Sequence, residues 1–428
     1  MNVCMMTNTY LPHVGGVARS VHTFAEQYRE KGHATLVVAP TFPGAQKDEI
    51  GVIRMPAIQQ FNGSDFSVRL AIPGYISDKI DRFGPDVIHS HHPFLMGDTA
   101  FRVARYRELP LVFTHHTLYE RYTHYVPFDS DVMKQLAIKL STHYANACSL
   151  VIAPSESIAD LITDRGVKSR VEVVPTGVNV GFFQGGDPRR GRQAHNIPPD
   201  AYVVGHVGRL APEKNLDYLA AAVAKFLKHR SEAWFLVVGD GPSREAIERR
   251  CHNAGAGDRL VMTGKLSGQA LADAYRSMDV FAFASHTETQ GMVVAEALAA
   301  DVPVVALDAS GIREVVEHDE NGLLLAEDAT EDTFATALAT TLTLPQEKAR
   351  AWREAAERTA RRFSQERCAG RLLELYGQLA GHRHSYQLRL GDAWEQLRLR
   401  LAAEWELMQG KASALSDSLF QNHDRGES

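Results

Sequence analysis

Short apolar runs that alternate with amphipathic segments are the feature that most restricts how this 428-residue chain can fold. In a parallel sheet each strand is followed by a crossover, usually a helix, that returns the chain to the same edge. Because the runs are apolar throughout, both faces of such a sheet are predicted to be covered. In the first half, strands are predicted at Val3–Met6, Ala34–Ala39, Pro85–Ser90, Leu111–Thr114 and Leu150–Ala153, and helices at Ala18–Lys31, Ala71–Phe83, Gly97–Arg107 and Asp131–Ala147.

The same pattern restarts after residues 184–200, which are rich in Gly, Pro and charge and are predicted to be a linker. We therefore predict an α/β chain with two doubly wound, Rossmann-like domains, residues 1–183 and 201–362, that face each other across a cleft. A helix over Gln365–Leu379 follows the second domain. The strands of that domain are predicted at Tyr202–Val207, Trp234–Val238, Arg259–Thr263, Val280–Ala284 and Val302–Leu307.

The charge balance is mildly acidic, since 46 Lys and Arg residues against 52 Asp and Glu residues give a formal net charge of −6. A dedicated nucleic-acid-binding protein is usually basic, so we expect no nucleic-acid partner. No apolar run approaches the ~20 residues of a membrane-spanning helix, and the N-terminus lacks the pattern of a signal peptide. The four cysteines form no C-x-x-C pair, which predicts reduced thiols in a cytoplasmic protein rather than disulfides or a zinc site; they are Cys4, Cys148, Cys251 and Cys368.

Two motifs that follow predicted strands have the residue types of an anion site. Gly15 and Gly16 precede the first helix, where small residues allow close approach of a ligand to free N–H groups. Arg209 and Lys214, in GRLAPEKN, follow the first strand of the second domain, and such a cationic pair suits a diphosphate. The plain alternatives are a tight turn for the glycines and a solvated charged loop for the cations.

Glu288 and Glu296 stand eight residues apart in HTETQGMVVAEALAADVP. This spacing is about 800° of helix rotation, so the two carboxylates do not share a helix face and are not a simple acid–base pair. We place Glu288 in the loop after a strand, with Gln290–Gly291 opening a helix that contains Glu296. Since the neighbours of Glu296 are apolar nearly all round, its carboxylate needs a partner, which favours a functional role over that of an ordinary helix residue.

Histidines and tyrosines cluster after two other predicted strands. They are His89, His91, His92, His115, His116, Tyr119, Tyr122, His124 and Tyr125. A His-x-His-His run is compatible with metal binding, but no set of carboxylates completes such a site, so we expect no metal. We expect these side chains to line the cleft as hydrogen-bonding groups, with several of them purely structural.

The last part of the chain, residues 381–428, is predicted to be a helical extension with one apolar stripe. The stripe consists of Leu390, Trp394, Leu397, Leu401, Trp405 and Met408. One interpretation is a helix that packs on the body of the protein or on another subunit, which would make the chain a homo-oligomer. The other is an interfacial helix in which tryptophans and nearby arginines bind anionic lipid.

Together, E-x7-E, GRLAPEKN, GDGP at 239–242 and the glycine pair resemble the retaining GT-B glycosyltransferases of family 4, over about residues 1–378. The segment FSQERCAGRLLELY resembles that family's closing helix, so residues 363–380 are expected to cross back to the first domain. The family usually has Phe-Gly at Gln290-Gly291 and Gly at Asp301. Neither departure is expected to abolish activity, because the contact at Gln290 is made by the main chain.

The resemblance implies a role for each matching residue. Gly15 and Gly16 contact the distal phosphate of a nucleotide-sugar, Arg209 and Lys214 neutralise its diphosphate, Glu296 binds the ribose hydroxyls and Glu288 lies by the transferred sugar. His116 lies beside the reacting carbon, with His115 one register step away. The remaining donor contacts implied are Gly264, Lys265, Leu266, Gln290, Gly291, Met292 and Val293, and the acceptor-side candidates are His91, His115, Tyr119, Tyr122 and His124.

The expected activity is therefore a retaining, metal-independent hexosyl transfer without a cofactor. HTLYERYTHYVP and TETQGM are similar to segments of bacterial diacylglycerol glucosyltransferases, which implies UDP-glucose as donor, a lipid acceptor and work at the inner face of the cell membrane. The alternatives are a soluble sugar or small polar acceptor, a UDP-sugar 2-epimerase on the same architecture, and a non-catalytic nucleotide-sugar-binding protein.

Overall fold

A computed structural model describes residues 1–13, 15–46, 49–58, 68–69, 76–118, 131–286, 288–381, 406–407 and 409. The chain forms two compact units. The first contains Met1–Thr176 and Cys368–Ser428, and the second contains Gly177–Arg367. Within the described residues, no helix has the length and apolar character needed to cross a membrane.

The first unit is built on a seven-stranded parallel sheet with the order β3-β2-β1-β6-β7-β8-β9. A short antiparallel pair, β4 and β5, stands apart from it. The strands are β1 (Asn2–Met6), β2 (Ala34–Pro40), β3 (Val52–Met55), β4 (Ala57–Ile58), β5 (Val68–Arg69), β6 (Val87–Ser90), β7 (Leu111–Thr114), β8 (Leu150–Ala153) and β9 (Val171–Val173). The helices between them are α1 (Gly16–Glu30), α2 (Ser77–Phe83), α3 (Met96–Tyr106), α4 (Asp131–Asn146) and α5 (Glu156–Asp164).

Alternate side chains of β1 enter two separate cores, as a doubly covered sheet requires. Val3 and Met5 pack on the side of α1, whereas Cys4 and Met6 pack on the opposite side. The α1 side is completed by residues from the far end of the chain, chiefly Leu372 and Tyr376. All four cysteines lie among the described residues, are buried and take part in no disulfide.

The second unit is a six-stranded parallel sheet with the order β12-β11-β10-β13-β14-β15. Its strands are β10 (Tyr202–Val207), β11 (Ala233–Val238), β12 (Leu260–Gly264), β13 (Val280–Phe283), β14 (Val304–Leu307) and β15 (Gly322–Leu325). Its helices are α6 (Val180–Gln184), α7 (Pro188–Ala194), α8 (Leu216–Lys228), α9 (Arg244–Asn253), α10 (Gly268–Arg276), α11 (Met292–Ala299), α12 (Glu331–Leu342) and α13 (Gln346–Arg362), and α14 (Gln365–Ala380) follows them.

The segment predicted as a linker, residues 184–200, belongs to the second unit and contains helix α7. Asp187 caps this helix by accepting hydrogen bonds from the N–H groups of Arg189 and Arg190, and Pro188 is its first residue. Proline is favoured at that position because the first N–H of a helix has no intrahelical acceptor. Here Pro and Asp start a helix rather than mark a linker, and the chain passes between the units at Thr176–Gly177.

Both sheets have a point where the strand order reverses. In the first unit the chain moves outward from β1 to β3 and returns to the other side of β1 with β6. In the second unit it moves outward from β10 to β12 and returns beside β10 with β13. Loops that leave the carboxyl ends of such neighbouring strands diverge and leave a crevice, which is where ligands bind in this class of sheet.

Candidate functional site

The predicted residues fall into two groups, one within each unit. In the second unit, the loops that follow β10 and β13 bring Lys214 and Glu288 into a direct ion pair. The Lys214 and Glu288 side chains are only 20% and 15% exposed. A diphosphate and a sugar hydroxyl are the kinds of group that a largely buried ammonium and carboxylate bind. The cation and the carboxylate predicted from the sequence are therefore in contact at the strand-order reversal.

Arg209 pairs with Glu213 within the same loop and is half-exposed. An exposed ion pair contributes little free energy, typically below about 1 kcal/mol, so it is easily exchanged for a better anionic partner. Arg209 is thus a second cation at the end of β10, in a more solvated position than Lys214.

The GRLAPEKN and GDGP segments run side by side. The N–H of Leu210 donates to Asp240 O at 3.0 Å, and the N–H of Ser243 donates back to Leu210 O at 2.8 Å. Gly239 has φ +142°, and a Cβ built on it would lie 1.8 Å from Gly208 O. Only glycine permits this approach, so the second motif fixes the backbone of the loop that carries the cations.

Helix α11 begins with an open first turn. Its N-cap is Gly291, with φ +64°, and no side chain caps it. A Cβ at Gly291 would lie 2.6 Å from Ile312 Cδ1. The first N–H groups of a helix, here those of Met292 and Val293, have no intrahelical acceptor and carry the positive end of the helix dipole. Together with Gln290 just before them, they leave an uncapped helix end beside Glu288 that suits an anion.

Glu296 lies inside α11 and is 3% exposed. Its Oε2 accepts a hydrogen bond from the hydroxyl of Tyr275 at 2.7 Å, and Tyr275 is fully buried on α10. The partner that a buried carboxylate requires is thus supplied by the protein itself, which the sequence did not reveal. Tyr275 also approaches Val293 O at 3.3 Å, so it ties α10 to the first turn of α11.

Three of the residues implied to contact the donor, Gly264, Lys265 and Leu266, lie at the end of β12 and just after it. Gly264 has φ +72° with open space around its missing side chain, Lys265 is exposed and Leu266 packs partly on the core. The N–H of Gly239 donates to Gly264 O at 2.9 Å, which links this segment to the GDGP turn.

His206 on β10 is a further buried polar residue that sequence reasoning missed. Its Nδ1 bonds Ala282 O at 3.1 Å, and its ring stacks near Phe281 and Phe283. Burial lowers the pKa of His206 to about 4, so the imidazole is neutral at pH 7. Nothing in the local sequence of a histidine inside an apolar strand distinguishes a functional role from a structural one.

In the first unit, Gly15 is the N-cap of α1 and Gly16 its first residue. No side chain caps the helix and its first turn holds no acidic residue. Among the described residues outside its own helical turn, no atom lies within 4 Å of a Cβ built on Gly16. The first turn of α1 therefore has free N–H groups and room beside them, as binding of a phosphate would require.

The histidines near the carboxyl ends of β6 and β7 divide into separate hydrogen-bonded sets. His89 Nε2 contacts Thr114 Oγ1 at 2.7 Å and its Nδ1 contacts Tyr376 Oη at 2.5 Å, which in turn contacts Tyr28 Oη at 3.2 Å. Because both ring nitrogens of His89 are used within this buried set, His89 has a structural role. Tyr376 was not singled out from the sequence, and it joins the C-terminal helix α14 to this cluster.

His91 and His116 form the second set, with Nδ1 of His91 2.9 Å from Nε2 of His116. His92 is bound separately, since its Nδ1 accepts from the N–H of Asn8 at 3.1 Å. Burial lowers the pKa of His92 to about 3 and holds the pKa values of His91 and His116 well below 6.5. These imidazoles are therefore neutral hydrogen-bonding groups at pH 7 rather than cations.

His115 is 3% exposed and packs edge-on against Phe113, so it faces the core while His116 stays partly exposed. Of the two registers predicted for the reactive histidine, this favours His116. The other acceptor-side candidates, Tyr119, Tyr122 and His124, lie outside the described residues. So does the apolar stripe of the C-terminal extension, although Glu406 there pairs with Arg105 and Leu407 packs on the first unit.

Two doubly wound units, with cations, carboxylates and open helix ends at the strand-order reversals, form a GT-B fold of the kind that nucleotide-sugar enzymes use. The profile described as Glycosyltransferase Family 4 matches residues 14–182, and that described as Glycosyl transferases group 1 matches residues 188–359. The chain belongs to glycosyltransferase family 4. This assignment favours the transferase over the epimerase and the binding protein considered above.

Named relatives differ in donor and acceptor. The chain is 30% identical over 337 residues, 76% of this chain and 84% of the relative, to the alpha-monoglucosyldiacylglycerol synthase of Acholeplasma laidlawii. It is 32% identical over 345 residues, 79% of this chain and 88% of the relative, to a GDP-mannose-dependent alpha-mannosyltransferase of Mycolicibacterium smegmatis. The sucrose-phosphate synthase structure from Thermosynechococcus elongatus aligns at a TM-score of 0.71 and 20% identity, over 89% of this chain and all of that one, and confirms the fold.

Proposed function

We propose that this enzyme transfers glucose from UDP-glucose to a hydroxyl of a diacylglycerol-type lipid, with retention of the anomeric configuration and without a metal. The observation that carries the proposal is the Lys214–Glu288 pair beside the open end of α11. The alpha-monoglucosyldiacylglycerol synthase, 30% identical over 84% of its length, supports glucose as the sugar and a lipid as the acceptor.

The chemistry follows from what the pair does when a donor binds. The diphosphate carries a higher negative charge than Glu288 and so replaces it as the partner of Lys214. It also accepts hydrogen bonds from the N–H groups of Met292 and Val293. Glu288 then accepts a hydrogen bond from the sugar. Charge that develops on the leaving diphosphate is stabilised by groups already in place, which is the main source of rate enhancement in such reactions.

Retention without a protein nucleophile requires the acceptor hydroxyl to attack on the side from which the diphosphate leaves. The leaving phosphate oxygen takes the acceptor's proton, and the cation-like sugar must be shielded from water. His116, neutral at pH 7, provides a hydrogen-bonding group for the sugar rather than a positive charge.

The primary test is a donor and acceptor screen with the full chain. UDP-glucose, UDP-galactose, UDP-N-acetylglucosamine and GDP-mannose are each offered with diacylglycerol in mixed micelles and with soluble sugars. We expect a glucosylated lipid as the product, with an α-anomeric proton in its NMR spectrum. The rate of transfer should be unchanged in the presence of EDTA. GDP-mannose is the second candidate donor, because the 32% identical mannosyltransferase depends on it. Transfer from GDP-mannose instead of UDP-glucose would overturn the proposed donor. Transfer only to soluble sugars would overturn the proposed acceptor.

Site variants test whether the described residues carry the reaction. Glu288→Ala is expected to lower kcat by a factor of about 10²–10³, and Arg209→Ala to weaken diphosphate stabilisation, which is read from kcat/KM. The matched control is Glu354→Ala, whose carboxylate pairs with Arg350 on α13. Near wild-type turnover in both site variants would reject the assignment.

We also propose that the enzyme works in the cytoplasm at the inner face of the membrane, with the C-terminal extension as its attachment. Co-sedimentation with anionic vesicles, with and without residues 382–428, tests this. Equal vesicle binding by the full chain and the truncated chain would show that the extension is not the attachment. Size-exclusion chromatography of the same two proteins shows whether the extension mediates oligomer formation.

A further inference from the structure

The contact between His91 and His116 restricts which nitrogen of each ring carries a proton. The rings stack with centroids 5.2 Å apart and an interplanar angle of 23°, and one hydrogen bond joins Nδ1 of His91 to Nε2 of His116. Both imidazoles are neutral at pH 7, so each carries a single proton, and only one of the two facing nitrogens is the donor.

The second nitrogen of His91 decides between the two arrangements. His91 is fully buried, and its Nε2 has no hydrogen-bond partner in the part of the chain that the structure describes. If His116 were the donor, His91 would have to carry its own proton on Nε2, as a buried N–H without an acceptor. Buried orphan N–H groups are rarer in proteins than under-used acceptors. The favoured arrangement has His91 donating from Nδ1.

This arrangement fixes the state of His116 as well. With its Nε2 accepting from His91, its proton sits on Nδ1. Nδ1 of His116 has no partner among the described residues, and His116 is partly exposed at the carboxyl end of β7. The open edge of the ring therefore presents a neutral N–H donor.

We propose that His91 is a positioning residue that holds His116 in the Nδ1–H tautomer, so that His116 donates a hydrogen bond to a substrate oxygen and does not act as a base. The inference rests on the proposed transfer reaction only for the identity of that oxygen, a hydroxyl of the transferred sugar. A proton acceptor is not needed from His116, because the leaving phosphate takes the acceptor's proton.

The tautomer can be read directly by NMR on the full chain with ¹⁵N-labelled histidine, using long-range proton–nitrogen correlations. His116→Gln identifies the signals of His116 by their loss. We expect Nδ1 of wild-type His116 to be protonated and Nε2 to be a hydrogen-bond acceptor. His91→Asp, which can only accept at this position, is expected to move the proton to Nε2. The matched control is His92→Asn, since His92 is also buried but binds Asn8 instead.

Wild-type His116 protonated at Nε2, or an unchanged tautomer in a folded His91→Asp variant, would overturn the proposal. The wild-type spectrum decides the question even if His91→Asp fails to fold. Because this readout needs no substrate, it stays valid if the proposed transfer reaction fails.

Kinetics with the donor found active provide a second readout. Asn can place an N–H near the position of Nδ1, so His91→Asn is expected to keep kcat within about twofold of wild type, whereas His91→Asp lowers kcat by about tenfold or more with little change in donor KM. Equal kcat losses in the two variants would assign His91 a merely structural role.

Discussion

Replacing Tyr275 by Phe removes one hydroxyl and keeps the ring that packs among Phe183 and Phe281. The lost hydroxyl donates to Glu296 at 2.7 Å, and Glu296 is 3% exposed, so water cannot readily replace it. Hydrogen bonds to charged groups contribute about 1.5–3 kcal/mol. For a unit of this size, 1 kcal/mol corresponds to about 2–4 °C in Tm, so a loss of about 2 kcal/mol lowers Tm by about 4–8 °C.

The assay is calorimetric or denaturant unfolding of Tyr275→Phe beside Tyr202→Phe. Tyr202 lies in the same unit, and its hydroxyl bonds Thr341 Oγ1 at 2.8 Å, a neutral contact for which about 0.5–1.5 kcal/mol is expected. Tyr275→Phe should also raise the donor KM, because Glu296 loses the group that orients it. A Tyr275→Phe protein no less stable than Tyr202→Phe, with unchanged KM, would refute the reasoning that the carboxylate is held by this hydroxyl.

Three further perturbations probe other parts of the fold. Lys214→Ala is expected to lower kcat by a factor of about 10²–10³, while Lys225→Ala, whose ammonium pairs with Glu331 on an exposed helix face, should match wild type in the same assay. Gly291→Ala places a Cβ 2.6 Å from Ile312 Cδ1 at φ +64° and should cost about 1–3 kcal/mol in unfolding measurements; Gly370→Ala on α14, where a Cβ meets nothing within 4 Å, is the control that should not destabilise. Burial lowers the pKa of His89 and His92 from 6.5 to about 3, so the unfolded chain binds more protons and stability should fall as pH drops from 6.5 towards 3, by up to about 1.4 kcal/mol per pH unit for each histidine. His92→Asn should flatten this slope in denaturant titrations at pH 5 and 7, and an unchanged slope would show that His92 does not contribute.

The strands that the sequence predicts well are those buried on both faces. Leu111–Thr114, Leu150–Ala153 and Tyr202–Val207 have the predicted bounds because every residue in them is part of an apolar or nearly apolar run. In the two parallel sheets, the strands that were missed lie at the edges, where one side faces solvent and the apolar run is interrupted. They are β3 (Val52–Met55), β9 (Val171–Val173) and β15 (Gly322–Leu325). The short antiparallel pair β4 and β5 was missed as well.

The site was predictable to the level of residue types that follow strands, but not to the level of contacts. The pairing of Lys214 with Glu288 depends on β10 and β13 being neighbours, which the strand order decides and local sequence does not. Tyr275 had no signal because a tyrosine on an amphipathic helix is usually a core residue. The His91–His116 contact likewise requires β6 and β7 to be adjacent.

The first unit is assembled from both ends of the chain, so it cannot finish folding until the C-terminal part has been synthesised. Tyr28 and the α1 side of β1 are covered by Leu372 and Tyr376, which are synthesised roughly 200 residues after Thr176. At translation rates of about 5–20 residues per second, that apolar surface waits uncovered for about 10–40 s. During this interval the nascent N-terminal half is incompletely folded and exposes an apolar surface. Dependence on chaperones should therefore be greatest for chains halted before α14 emerges from the ribosome.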